Sequence, residues 1–149
     1  MVKMTEPPRP PGDGTAGGYP PGAATPPTVS DDDRTWAMIA HFGGAIAMLV
    51  TGGTLGWVPP LIAYLVKGHQ SPTVRAHSVN ALNFQLFWST ISIAGYVLGI
   101  CGSFFIVGLI FFLLPLAATL IGFICGIIAG IKAAEGELYR YPAAPEILR

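Results

Sequence analysis

The stretch AHSVNALNFQLFWSTISIAGYVLGICGSFFIVGLIFFLLPLAATLIGFICGIIAGI, Ala76 to Ile131, is 56 consecutive residues without an Asp, Glu, Lys or Arg. A helix crosses the hydrocarbon core of a bilayer with ~20 mostly apolar residues, so this run is long enough for two passes. Gly102-Ser103, near its middle, is the natural turn between them. A second charge-free run, Thr35 to Val66, adds 32 residues. A helix in water needs a charged outer face, and these runs offer none. The predicted fold is an all-α integral membrane protein, a four-helix bundle with a disordered N-terminal tail.

Four segments follow from the punctuation. Asp31-Asp32-Asp33 suits a helix N-terminus, because Asp caps free N–H groups and its charge complements the positive end of the helix dipole. The first helix is expected from about Arg34 or Thr35 to Val50, where Thr51-Gly52-Gly53-Thr54-Leu55-Gly56 breaks it. A short second helix has Pro59 or Pro60 in its first turn and ends at Val66-Lys67-Gly68. Ser71-Pro72 reads as an N-cap followed by proline at the first helical position. The third helix should run from Pro72 to about Ile100, and the fourth from about Phe104 to Ala134 with a kink at Pro115. The first two are short for a ~30 Å core, so they can also be read as a re-entrant hairpin.

The tail and flanks complete the layout. Residues 1–30 are rich in Pro and Gly and carry no apolar h-region, so they read as a disordered tail rather than a cleavable signal. The Pro7-Pro8-Arg9-Pro10-Pro11 run matches a polyproline recognition pattern, with a solvated spacer as the plainer reading. Residues 31–142 form the expected four-helix membrane domain, and 143–149 a short C-terminal tail. Arg34, Lys67, Arg75, Lys132 and Arg140 flank the helices, while the other two connections carry no charge. Four segments place every basic flank on one side, which the positive-inside rule makes the cytoplasm. The expected location is the bacterial inner membrane, with both termini cytoplasmic.

Composition narrows the function classes. Of 149 residues, 52% are hydrophobic and 11% charged, and the formal net charge is zero. Bulk charge therefore offers nothing to nucleic acid. The two cysteines, Cys101 and Cys125, read as small packing residues with no bridge between them. No span contains an acid, and there is no phosphate-binding Gly-rich loop or nucleophile with an obvious base. The chain reads as a non-enzyme without cofactor. His41, His69 and His77 have no carboxylate or thiol at ligand spacing, so no metal site is expected.

Two patterns remain. Ala118, Gly122, Gly126, Gly130 and Ala134 lie four apart on the fourth helix, and Gly95, Gly99 and Ser103 on the third. Such stripes let backbones approach closely and point to a tight antiparallel pair of these helices, or else to a homodimer face. Gly108 lies off the stripe and is expected to tolerate a side chain better than Gly126. The third helix also concentrates Arg75, His77, Ser78, Asn80, Asn83 and Gln85 in three turns. At 100° per residue, His77 and Asn80 share one face with Asn83 beside it, while Arg75, Ser78, Gln85 and Ser89 share the opposite face. His41 enters the first helix to the same depth, about 7 Å. Polar groups at membrane depth face protein or water. His41, Arg75, His77, Asn80, Asn83 and Gln85 are therefore candidates for a polar pocket open to the cytoplasm, with interhelical hydrogen bonding as the plainer alternative.

Three segments carry a family resemblance. These are Asp33-Arg34-Thr35-Trp36-Ala37-Met38-Ile39-Ala40-His41-Phe42-Gly43-Gly44, then Ser71 through Gln85, then Lys132 through Pro142. Together they resemble a widespread family of small bacterial membrane proteins of unknown function. That family is similar to the twenty-kilodalton membrane subunit of the chloroplast inner-envelope protein translocon (Tic). The resemblance implies four helices with both ends on one side and assigns no activity. The expected function is a non-enzymatic scaffold or translocation-type subunit, in contact with the lipid bilayer and with other membrane proteins or itself. The alternative is a small oligomeric channel or carrier using the polar face of the third helix.

Overall fold

The computed structural model describes residues 29–142 and 144–148. The Pro/Gly-rich tail expected at residues 1–30 lies outside them except for its last two positions. The described residues form four helices and no strand. Helix α1 runs Asp31–Met38, passes through a π-helical turn at Ile39–Gly43 and resumes at Gly44–Val50. Ser30 caps it, accepting from the Asp33 N–H at 3.1 Å. The three aspartates fill the first turn and face the dipole from inside the helix. The helix therefore starts several residues earlier than the sequence suggested.

Gly52 and Gly53, at φ 61° and 89°, turn the chain where a side chain would be strained. Helix α2, Val58–Lys67, opens with prolines in its first turn, where no N–H is needed. Helix α3, Pro72–Gly102, is capped by Ser71, whose hydroxyl accepts from the Val74 N–H at 3.2 Å. Helix α4 begins as a 3-10 segment, Ile106–Phe112, and continues as an α-helix over Leu113–Ala134.

The expected kink at Pro115 takes a different form. The irregularity precedes the proline, which sits third in the α-helical part and has no N–H to donate to the 3-10 turn before it. The 3-10 segment lets Gly108 lie directly against the backbone of Gly102, and a Cβ at Gly108 would collide with it. Gly108 is thus one of the tightest contacts in the fold, which corrects the tolerance expected of it.

The small-residue stripes also find different partners. A Cβ at Gly95 would meet Leu114 Cβ at 2.8 Å, and one at Gly99 would meet the Phe112 ring at 2.8 Å. Those two glycines do seat α3 against the start of α4. Further along α4 the stripe turns to α1: Gly122 faces Met48, Gly126 faces Ala45 at 2.8 Å, and Gly130 faces Phe42 at 2.5 Å. The two stripes do not oppose each other, because α1 occupies the place beside Gly122, Gly126 and Gly130. Ala118 is fully buried in the same row.

Two helices, Pro72–Gly102 and Ile106–Ala134, are long and apolar enough to cross a membrane, and Val58–Lys67 is a shorter apolar helix. Their outward faces are apolar, with Val97, Ile100, Leu116 and Ile124 exposed. Lys67 pairs with Asp32 at 2.6 Å, tying the start of α1 to the end of α2. That end of the fold also carries the first turn of α3 and the last turn of α4.

Candidate functional site

The site is built at that end by the chain that follows α4. Gly136, at φ 82°, lets the helix close with two terminal bonds, Gly136 N–H to Ala133 O at 3.1 Å and Glu137 N–H to Lys132 O at 2.9 Å. This glycine-closed end satisfies the last carbonyls and reverses the chain. Residues 137–142 and 144–148 then lie along the polar face of α3.

Tyr141 anchors this strap. It is only 6% exposed and stacks on Phe84 with ring centroids 4.1 Å apart. Its Oη lies 2.8 Å from His41 Nδ1, and His41 Nε2 lies 3.1 Å from His77 Nδ1. His41 is fully buried and sits in the π-helical turn, an irregularity frequent at functional sites. Burial pushes the Tyr141 phenol far above its ordinary range, so the hydroxyl keeps its proton. The tautomer of His41 sets which way the two bonds run along this Tyr141–His41–His77 chain. A neutral imidazole has one donor and one acceptor nitrogen, and this arrangement uses both.

Two asparagines hold the rest of the strap. Asn80 Nδ2 donates to the Tyr139 carbonyl. Asn83 Oδ1 accepts from the Ile147 and Leu148 N–H groups at 3.2 and 2.7 Å, and its Nδ2 donates to Leu148 O at 3.0 Å. A single side-chain amide thereby serves as both donor and acceptor for an extended backbone. Beside the strap lies a groove of about 1030 Å³, bordered by the start of α3, the end of α2 and residues 138–148.

The six candidate pocket residues occupy three settings. His41 and His77 are joined to each other and to Tyr141. Arg75, Asn80 and Asn83 line the groove. Gln85 is apart from both. It is fully buried, with its amide wedged near Gly44 and Gly56, where added Cβ atoms would meet it at 3.1 and 2.6 Å. Neither its Oε1 nor its Nε2 has a hydrogen-bond partner among the described residues, and Ser78 and Ser92 are unpartnered likewise.

A metal ion does not suit the His41 cluster. The two ring nitrogens of His41 point to different neighbours, so Tyr141 and His77 cannot join it around one ion. Among the described residues no three His, Cys, Asp or Glu side chains gather.

The sequence reading missed Tyr141. Its signal was present: a glycine just after the last span, then Tyr139 and Tyr141 two apart in a polar stretch. A polar segment carrying paired aromatics after a helix-ending glycine has reason to fold back.

Fold and site define a small helical protein with two membrane-capable helices and a pinned C-terminal strap. The chain belongs to the MamF/MmsF family, the magnetosome magnetite crystal formation protein family, whose model matches residues 32–148. This is a magnetosome membrane protein family and not a known enzyme family. The matched range takes in α1, the asparagine clamp and the strap. No curated protein and no solved structure matches the chain.

Proposed function

We propose that this chain is a non-enzymatic scaffold subunit of the membrane that surrounds a forming magnetite crystal. It spans that membrane as a four-helix bundle, and its apolar flanks pack against copies of itself or other membrane proteins. The observation that carries the reading is the clamp: Asn80 and Asn83 spend their amides on the strap's backbone. The polar face that would have served a solute is covered by the chain's own C-terminus. Both termini face the cytoplasm in this reading, since Arg34, Lys67, Arg75, Lys132 and Arg140 flank the same end. The membrane is one derived from the inner membrane. The translocation-type variant rests on sequence resemblance alone.

Mild crosslinking in membranes followed by copurification tests the proposal. Distinct membrane partners, or a discrete homo-oligomer without solute flux in liposomes, are expected. Solute flux through the purified protein would overturn it. One observation favours that second reading, a channel or carrier: the unpartnered Ser78, Gln85 and Ser92 lie along the inner side of α3. Polar groups left without partners at that depth are costly and mark hydrophilic paths.

A further inference from the structure

We propose that the groove beside the strap binds the phosphate of an anionic lipid headgroup between Arg75 and Arg140. The two arginines come from different segments, the first turn of α3 and the strap, yet they line the same concavity. His69, Asn80 and Tyr139 add polar edges, and Glu146 is the one acid in the lining. Among the described residues neither arginine forms an ion pair, for the salt bridges there use Lys67 and Lys132. Guanidinium groups match phosphate oxygens bidentately and hold the charge at any physiological pH. The groove opens at the end of two membrane-capable helices, at the level where headgroups lie. Val79, Leu138 and Leu148 line it as well, the two leucines exposed, and give acyl chains an apolar surface. Basic pockets at such interfaces are recognised headgroup sites. A bound headgroup would bridge α3 to the strap and so fasten the clamp from outside.

The inference rests on the membrane reading of the chain, and the test separates the two. Carbonate-resistant retention of the full-length protein in membranes is measured first, and its loss overturns the membrane reading itself. The purified full chain in neutral detergent is then heated with phosphatidylglycerol, with phosphatidylcholine, or with inorganic phosphate. Phosphatidylglycerol should raise the melting temperature by about 4 °C or more relative to phosphatidylcholine. Arg75→Gln and Arg140→Gln should each reduce that difference and together abolish it, while Arg75→Lys with Arg140→Lys, which keeps the charge and loses the bidentate fork, retains only part of it. The readout is a difference between two lipids for one variant, so a variant that is merely less stable remains informative. An equal shift from inorganic phosphate supports the same phosphate site filled from solution. Equal melting in the two lipids for the wild type, or an unchanged preference in the double glutamine variant, overturns the proposal.

Discussion

Helix α3 carries polar side chains on two faces, and the faces are treated differently. On the outer one, Asn80 and Asn83 are bonded to the strap, and His77 is bonded to His41. On the inner one, Ser78, Gln85 and Ser92 are buried with no partner among the described residues, Gln85 beside Gly44 and Gly56 and Ser92 beside Gly53. Both faces sit on one apolar helix, so depth alone does not explain the contrast. The outer face met a segment of extended backbone, whose N–H and C=O groups need partners as much as the asparagines do. The inner face met Gly44 and the turn at Gly53 and Gly56, which lie in close contact with Gln85 and Ser92 without bonding them. A polar residue in such a helix is satisfied by what it meets: the strap's extended backbone and the His41 ring bond the outer face, and the glycine contacts leave the inner one unbonded.

The largest effect should come from breaking the outer face at its anchor. Tyr141→Ala removes the stack on Phe84 and the bond to His41, at a cost of about 3–5 kcal/mol for truncating a buried aromatic. Tyr141→Phe keeps the stack and strands a histidine nitrogen, costing about 1–3 kcal/mol. Thermal melting in detergent ranks the two. If the alanine variant melts like the wild type, the strap does not hold the bundle.

The next effect tests the inner packing that leaves Gln85 without partners. Gly126→Leu pushes a branched side chain into Ala45, at about 1–3 kcal/mol or more for an overfilled contact. Gly108→Leu should cost at least as much, since its Cβ already collides with Gly102. Greater stability of Gly108→Leu than of Gly126→Leu would show that the 3-10 segment yields and the α1–α4 contact does not.

The helices were legible because their signals are local. Ser71-Pro72, Gly52-Gly53 and the charge-free runs need no knowledge of what packs where. The candidate residues were legible as types and depths: His41 and His77 were placed at one depth, and they do meet. Their partner was not legible, because Tyr141 is 100 positions from His41 and only the reversal at Gly136 brings it there. The pairing of the glycine stripes failed for a related reason. Spacing shows that a face is flat, and it cannot say which helix lies on it, so α1 against Gly126 was as consistent with the pattern as α3.

A smaller effect is expected at the strap's far end. Asn83→Ala releases the backbone of Ile147 and Leu148 without touching Tyr141, so global stability should fall by only about 1 kcal/mol. Limited proteolysis of the C-terminus should accelerate instead, because the backbone of Ile147 and Leu148 loses its bonds to α3. Unchanged cleavage in the variant would mean that Asn83 follows the strap and does not hold it.

The smallest effect is the sharpest, because its sign separates the two faces. Gln85→Met replaces an unpartnered amide with an apolar chain of similar length. Removing a buried polar group that has no partner is neutral or stabilising, whereas removing one that has a partner is costly. Gln85→Met should therefore leave stability unchanged or raise it by about 1 kcal/mol, while Asn83→Leu on the outer face lowers it. The flexible thioether should fit between Gly44 and Gly56 better than a branched side chain would. Both variants are read by the same melt in detergent, so any error of method is shared. A clear loss of stability in Gln85→Met would reveal that the amide is bonded after all, to water or solute inside the bundle. The inner face would then be a hydrophilic path in use, and the channel or carrier reading would displace the scaffold.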